Sequence, residues 1–496
     1  MKIFYRFIYS FLFFSLAFSY YNQDPRMIGV AGAYNTLASG YQCVGINPGN
    51  LAFSEGITMN LTQFNFSFKN NFITRKRLLD LEGANLEDSS LPNYYPKNQI
   101  LDYLRGEPIR TTFITNLPAS FISFSSNSFA MTSEIKVFSD IEISQDFFKL
   151  ILYGNEIDST YNFSINSNSF IVLESSISKA FKLNNVGVGF TVKYLKGLLG
   201  LSYLALDDSE FTTTADNINL SSSSYLLRQN TMGEGFGLDF GFSTERDKNG
   251  WMFGMSIINM FAKIKWNHKT NLDEQLDDFY SDIYSQTNLN EKENKFLSLS
   301  IDNLTLDDLN NDDVELSDIF IVSEINMYES NFLPSQYENI DYEYSTITNN
   351  YYIPIDSLCV NSSDENCTIS TQLDNLKENI IKFDYPTTLN IGLSKRVNDT
   401  QLYTVDLSTG LDASFNNKEK WRVAVGGEFG NKIFPFRLGL SYGGYDKMSL
   451  GMGFGLHIPS NKGYFSLDFG ISYKGNLDFN SSNGLDFGFG VHWSQD

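Results

Sequence analysis

"GLDFGFGVHW", residues 484–493, is the stretch from which the fold can be read. Leu485, Phe487, Phe489, Val491 and Trp493 alternate with Asp486, Gly488, Gly490 and His492. A period of two puts the large side chains on one face of a β-strand. The opposite face carries glycine and charge rather than a second apolar stripe. "GYFSLDFGISY" (463–473) repeats the pattern, with Ser466, Asp468, Gly470 and Ser472 opposite the aromatics, and so does "GMGFGLHI" (451–458). The same alternation runs upstream through "FPFRLGLSY", "WRVAVGGEF", "LYTVDLS", "TLNIGLSKR", "WMFGMSIINMFAKIKW", "GEGFGLDFGF", "VGVGFTVKY" and "SFIVLESSISKAF". It is weaker in "FAMTSEIKVF", "ITNLPASFISFS" and "ITMNLTQFNFSF"; in the last, the apolar phase slips between Leu61 and Phe64, which predicts a bulge. The total is fourteen strands. Most are long enough to cross a bilayer, which takes about 9–11 tilted residues.

The connections test this independently. Six are short, from Ser126 to Ser128, Leu183 to Asn185, Arg246 to Gly250, Arg396 to Thr400, Gly430 to Ile433 and Pro459 to Lys462. They interleave with seven mostly longer ones, and the order never fails. Short turns on one side and long loops on the other are the habit of membrane barrels, and the parity puts both termini on the short-turn side, the periplasm. A soluble β-sandwich also alternates, but it would turn its aromatics inward and show Lys, Glu and Thr outside. The expected fold is therefore all-β, a transmembrane antiparallel barrel of about 14 strands with a polar lumen. Asp239, Arg422, Glu428, Arg437, His457, Asp468, Asp486 and His492 fall on the lumen-facing phase.

Met1 to Ser19 reads as a cleaved signal peptide, with Lys2 and Arg6, an apolar run from Phe7 to Phe18, and Ala17-Phe18-Ser19 at its end. The expected layout then runs as a signal peptide at 1–19, an N-terminal plug at 20–56, strands one to seven at 57–266, an acidic extracellular insert at 267–385 and strands eight to fourteen at 386–496. The net charge of −22 belongs almost wholly to that insert, where Asn267 to Tyr385 hold 25 of the 58 acidic residues and 5 of the 36 basic ones. Nucleic acid is excluded as its partner. Interspersed tyrosines and apolar runs such as "IFIVSEINMY" point to a part-folded surface cap. Cys359 and Cys367 are spaced to close a small disulfide loop in an oxidising compartment, leaving Cys43 unpaired.

Tyr20 to Gly56 precedes the first strand, is rich in Gly and Ala, and contains no spanning element. A barrel of this size needs its interior filled, so the segment reads as a lumenal plug, with Asn47-Pro48-Gly49 as the turn that delivers the chain to the wall. The stretch "RMIGVAGAYNTLASGYQCVGINPGNLAF" resembles the N-terminal hatch of the FadL-like outer-membrane proteins, which include long-chain fatty-acid transporters and the PorV-type proteins of the type IX secretion system. Arg26, Gly29, Gly32, Ala33, Asn47 and Pro48 match the hatch pattern; Gly49 stands where Ala is usual. "GEGFGLDFGF", "YPTTLNIGLS" and "FPFRLGLSYGG" are similar to recurrent strands of the PorV-like branch. The resemblance implies a fourteen-strand barrel with a hatch. For the transporters it implies passage of hydrophobic small molecules and their sideways release where a strand is kinked, and for the PorV-like branch a non-transporting role in protein secretion and surface attachment. The expected partners are outer-membrane lipid and either a hydrophobic ligand or secretion-system proteins.

Enzymatic readings fare poorly. His268, His457 and His492 lack metal-ligand spacing. Gly233, Gly235 and Gly237 imitate a dinucleotide motif but sit inside a strand with no helix behind them to hold a phosphate. Asp307, Asp308, Asp312 and Asp313 lack the Gly and bidentate Glu of an EF-hand. No catalytic residue, metal or cofactor is expected.

Overall fold

The computed structural model describes residues 24–495 apart from 105, 155, 163, 206–209, 214–216, 268–293, 306–320, 329–347, 355–381, 386, 412–420, 445, 461 and 477. The leader, Cys359, Cys367, His268 and the Asp307–Asp313 cluster lie outside the described residues.

Fourteen wall strands follow in chain order: β1 (Ile57–Asn70), β2 (Ile109–Pro118), β3 (Phe129–Ile143), β4 (Ile165–Leu183), β5 (Val186–Ala205), β6 (Asn217–Thr244), β7 (Trp251–Asn267), β8 (Thr388–Asn398), β9 (Gln401–Gly410), β10 (Arg422–Gly430), β11 (Pro435–Gly443), β12 (Lys447–Ser460), β13 (Gly463–Lys474) and β14 (Gly484–Gln495). Each pairs antiparallel with the next, and β14 pairs with β1 from Ile57↔Gln495 to Lys69↔Gly484, so the sheet closes. Closure joins the first wall strand to the last, the condition lipid imposes on a sheet. Two-residue turns join β3 to the strand piece before it and β4 to β5, and left-handed Asn127 and Asn184 supply the positive φ that such hairpins need.

Burial confirms which face is which. Phe454, Phe465 and Phe487 are exposed on the outside, while Ser466, Asp468 and Ser472 beside them are buried. That is the reverse of a soluble sandwich, and the apolar outer belt is the surface a bilayer wets. What stands for a core is the N-terminal segment inside the lumen: Met27, Val30, Tyr34, Cys43, Val44 and Leu51 form one buried cluster.

The bulge expected in β1 falls at Leu61, where the register with β14 shifts between Asn60 and Thr62. The second strand needs correction. Read as one run from Ile114 to Ser125, it begins earlier, at Ile109, and breaks after Pro118, resuming only as Phe124–Ser126. β1 pairs with β2 from Asn65 to Asn70 and with the short piece from Ile57 to Met59, so residues 60–64 lose their ladder on that side. Phe121 is left-handed there and, with Ile122, exposed. Strand β7 carries a second irregularity. Its register with β6 shifts on both sides of Met260, with Asn259 and Phe261 left-handed.

Above the wall, the loops 71–108 and 144–164 carry three short helices, α1 (Arg75–Leu81), α2 (Lys97–Asp102) and α3 (Gln145–Tyr153), joined through Phe72, Ile100, Leu104, Phe148 and Leu152. Within the insert, Asn294–Thr305 pairs with β6 and with Ile321–Tyr328, which pairs in parallel with Thr348–Pro354, so β6 extends beyond the barrel as a sheet.

Candidate functional site: the hatch and the lumen

The hatch begins with a one-turn helix, Pro25–Gly29. Asp24 caps it, accepting the Arg26 N–H at 2.8 Å, and Pro25 sits where a missing N–H costs nothing. Gly32 at φ +87° then reverses the chain. Asn47 caps a second short helix, Pro48–Phe53. Its Oδ1 accepts the Gly49 N–H at 3.0 Å, while its Nδ2 donates to Asn35 Oδ1 at 2.9 Å and to the wall carbonyl of Phe242 at 3.1 Å. The turn is thereby pinned to β6.

The lumenal glycines follow from that docking. A Cβ on Gly49 would lie 2.9 Å from the Gly241 backbone, which explains why this position excludes Ala here. A Cβ on Gly187 would lie 2.5 Å from the Gly49 carbonyl oxygen, and one on Gly426 2.8 Å from Val30 Cβ. The glycine face of the wall is the surface on which the hatch backbone rests. Gly29 meets Gly453, and Ala33 is fully buried.

The charged positions separate into groups. Arg437, 2% exposed, donates to Glu428 at 2.8 Å and to Asp468 at 2.6 Å, and His492 Nδ1 stands 3.7 Å from Asp468. The foot of the hatch joins this group: Arg26 pairs with Asp24 at 3.3 Å, and Gln42 donates to Asp24. Burial pushes the Asp24 carboxyl above its usual range, against the pull of Arg26. Arg422 donates to the hatch carbonyl of Ala31 at 2.6 Å and to Ser441 at 2.9 Å. Asp486 pairs with Lys474 at 2.8 Å, and Lys474 reaches Asp446 at 3.3 Å. His457 stacks loosely on Tyr464 at the rim. Asp239 stands apart with Lys193, at 3.1 Å.

Sequence reasoning passed over the ladder to which Asp239 belongs. Glu174 accepts from Lys136 at 2.8 Å, from the Tyr385 hydroxyl at 2.7 Å, and lies 3.4 Å from Lys193; Lys136 also meets Glu134 at 2.9 Å. The lone Glu174 on the lumen phase of "SFIVLESSISKAF" and the Glu134–Lys136 pair on that of "FAMTSEIKVF" are the available signal. Above the ladder lies an apolar cluster in which Phe138 and Phe170 rings sit 4.4 Å apart and Phe138 meets Tyr385 edge-on at 5.8 Å. Among the described residues no group of His, Cys, Asp and Glu is arranged to hold a metal. Cys43 is a buried free thiol whose pKa burial pushes well up.

Two cavities flank the hatch. One, of about 50 Å³, lies between Met27, Ile46 and Asn35 of the hatch and Ile114, Phe138, Lys193 and Asp406 of the wall. The other, of about 30 Å³, lies between Asp24, Tyr41 and Gln42 of the hatch and Gln63, Pro118, Ser123 and Glu134, directly behind the broken second strand.

No family model matches the sequence, and neither does any curated protein. Among solved structures, the Pseudomonas putida toluene transporter TodX matches at TM-score 0.46 and 11% identity, covering 97% of this chain and 99% of that one. The Ralstonia pickettii toluene transporter TbuX matches at 0.48 and 12%, covering 98% and 100%. The monoaromatic hydrocarbon channel CymD matches at 0.44 and 12%, covering 95% and 97%. The barrel assignment rests on the strand pairing and not on these likenesses. By its strand pairing the chain is a closed antiparallel β-barrel of fourteen strands with an apolar outer belt.

Proposed function

We propose that the protein passes hydrophobic small molecules across the outer membrane and releases them sideways through its wall. The observation that carries this reading is the break between Pro118 and Phe124. A continuous barrel strand would shield the lumen from lipid. Here the β1 side of the gap is bridged by Asn60 N–H to Ser123 O at 2.8 Å, Phe121 N–H to Asn60 O at 2.8 Å and Asn60 Nδ2 to Pro118 O at 3.3 Å, and the β3 side by Ala119 N–H to Ser133 O at 2.7 Å and Ser123 Oγ against the Ser133 backbone at 3.3 Å. Behind them is a cavity bounded by the hatch, and on the exposed side are Phe121 and Ile122. The hatch bars straight passage along the axis, which leaves the side as the route of least rearrangement.

A staple tests it. Asn60→Cys with Ser123→Cys, oxidised in intact cells, is expected to stop uptake of a hydrophobic fluorescent probe such as N-phenyl-1-naphthylamine, with recovery on reduction. Undiminished uptake through the stapled barrel would rule out lateral release. A wild-type barrel that moves no hydrophobic probe at all would favour a secretion and surface-attachment component instead.

A further inference from the structure

The larger cavity has a chemistry of its own. Its apolar side is Ile114, Phe138 and Ile258 of the wall with Met27 and Ile46 of the hatch. Its polar side presents two cations, Lys136 and Lys193, and both are occupied. Lys193 donates to Asn259 at 2.6 Å and pairs with Asp239 at 3.1 Å and Glu174 at 3.4 Å. Lys136 is held between Glu134 and Glu174 and lies 5.7 Å from the Tyr385 ring centre.

The acceptors are in surplus. Asp406 lines the cavity, and among the described residues it has no ion-pair partner; its Oδ2 accepts the Asn35 N–H at 2.6 Å. Asp239, 1% exposed, leaves Oδ2 without a hydrogen bond among the described residues. Two lysines are thus matched against four carboxylates, of which Asp406 lines the cavity while Glu134, Glu174 and Asp239 hold the lysines from behind. A carboxylate entering would find its charge unmatched and every ammonium already engaged, and burying an unpaired charge costs several kcal/mol even after relaxation. An O–H or N–H donor would meet Asp406, an acceptor that is already desolvated, so its bond is gained without a fresh desolvation cost on the protein side.

We infer that this cavity is a binding site for an apolar molecule ending in a hydrogen-bond donor, a phenol or alcohol, and that it discriminates against carboxylates. The polar head sits between Asp406 and the Lys193–Asn259 edge, and the apolar body lies along Phe138 and the cluster behind it. At about 10–15 Å³ per water, the space of about 50 Å³ holds roughly three to five waters, enough for a head group. This site rests on the transport reading above and narrows its cargo.

The test measures binding of 4-butylphenol, 4-butylbenzoate and butylbenzene to the protein in lipid nanodiscs by calorimetry at neutral pH, with empty nanodiscs subtracted. The phenol is expected to bind at least tenfold more tightly than the benzoate and more tightly than butylbenzene. Asp406→Asn should narrow the phenol-to-benzoate ratio at least threefold. Ser408→Phe, which fills the cavity, should abolish saturable binding while the barrel keeps its heat-modifiable mobility. Benzoate binding within threefold of phenol overturns the inference, as does butylbenzene binding equally well, and in both cases hydrophobic transport stands. If none of the three binds, both the site and the transport reading fall. The wild-type comparison suffices if a variant fails to fold.

Discussion

Gly241→Ala puts the docking of the hatch to a direct test. The added Cβ would lie 2.6 Å from Pro48 Cδ and 2.7 Å from Gly49 N, and beside Asn47 Oδ1. These are a ring, a backbone and an amide that three hydrogen bonds hold in place, with no free end to swing aside. Carbon–carbon contact is comfortable at about 3.5–4.0 Å, so the turn must retreat by roughly 1 Å. That stretches the 3.1 Å bond from Asn47 Nδ2 to the Phe242 carbonyl past hydrogen-bonding range. Overpacking costs about 1–3 kcal/mol and a buried polar group left unpaired about 1–3 kcal/mol more. A combined value of about 3 kcal/mol shifts the docked-to-displaced ratio roughly a hundredfold. Planar-bilayer recordings should show more frequent and larger openings than the parent, with heat-modifiable mobility retained because alanine suits a strand no worse than glycine. The control is Gly490→Ala, whose Cβ would meet Pro25 Cγ at an ordinary 3.4 Å. If Gly241→Ala conducts like the parent and the control, the glycine face does not hold the hatch.

Three further expectations follow from the same geometry. Arg437→Leu leaves Asp468 buried without its main partner and should destabilise the barrel by about 3–5 kcal/mol, read as a lower unfolding temperature of the folded gel band. Cys43 should stay unlabelled by maleimide at neutral pH in the native protein and label at once on unfolding, because burial both hides the thiol and disfavours its thiolate; peptide mass spectrometry reads this site by site. Protease added to intact cells should cut between residues 267 and 385 and leave the wall embedded; cleavage only after the outer membrane is breached would invert the topology.

The wall was legible in the sequence because its two signals are local: a period of two within each strand, and the length of each connection. What hid was whatever depends on register. "ITNLPASFISFS" alternates only weakly and reads as one strand across Pro118, and the pairing partners of Asn60 and Ser123 show where it parts. Lys136, Glu174 and Lys193 sit on three strands, and no spacing announces that one carboxylate serves both lysines. The glycines read as a means of narrowing a polar lumen. They are better understood through a segment far away in sequence, since a glycine reports close approach but not what approaches.

The seam between β1 and β14 joins the start of the wall to the end of the chain, and the hatch helix rests on the last strands beside it, with Pro25 and Ile28 against Gly470 of β13 and Gly488 of β14. This arrangement bears on the order of events during assembly. The segment synthesised first has its resting place completed last, so through most of wall formation the hatch has only a partial floor. Contacts so far apart along the chain form slowly. Once the seam zips, the hatch can reach the lumen only through an open end of the ring, so pairing of the last strand before the hatch docks would add an end-on entry step to assembly.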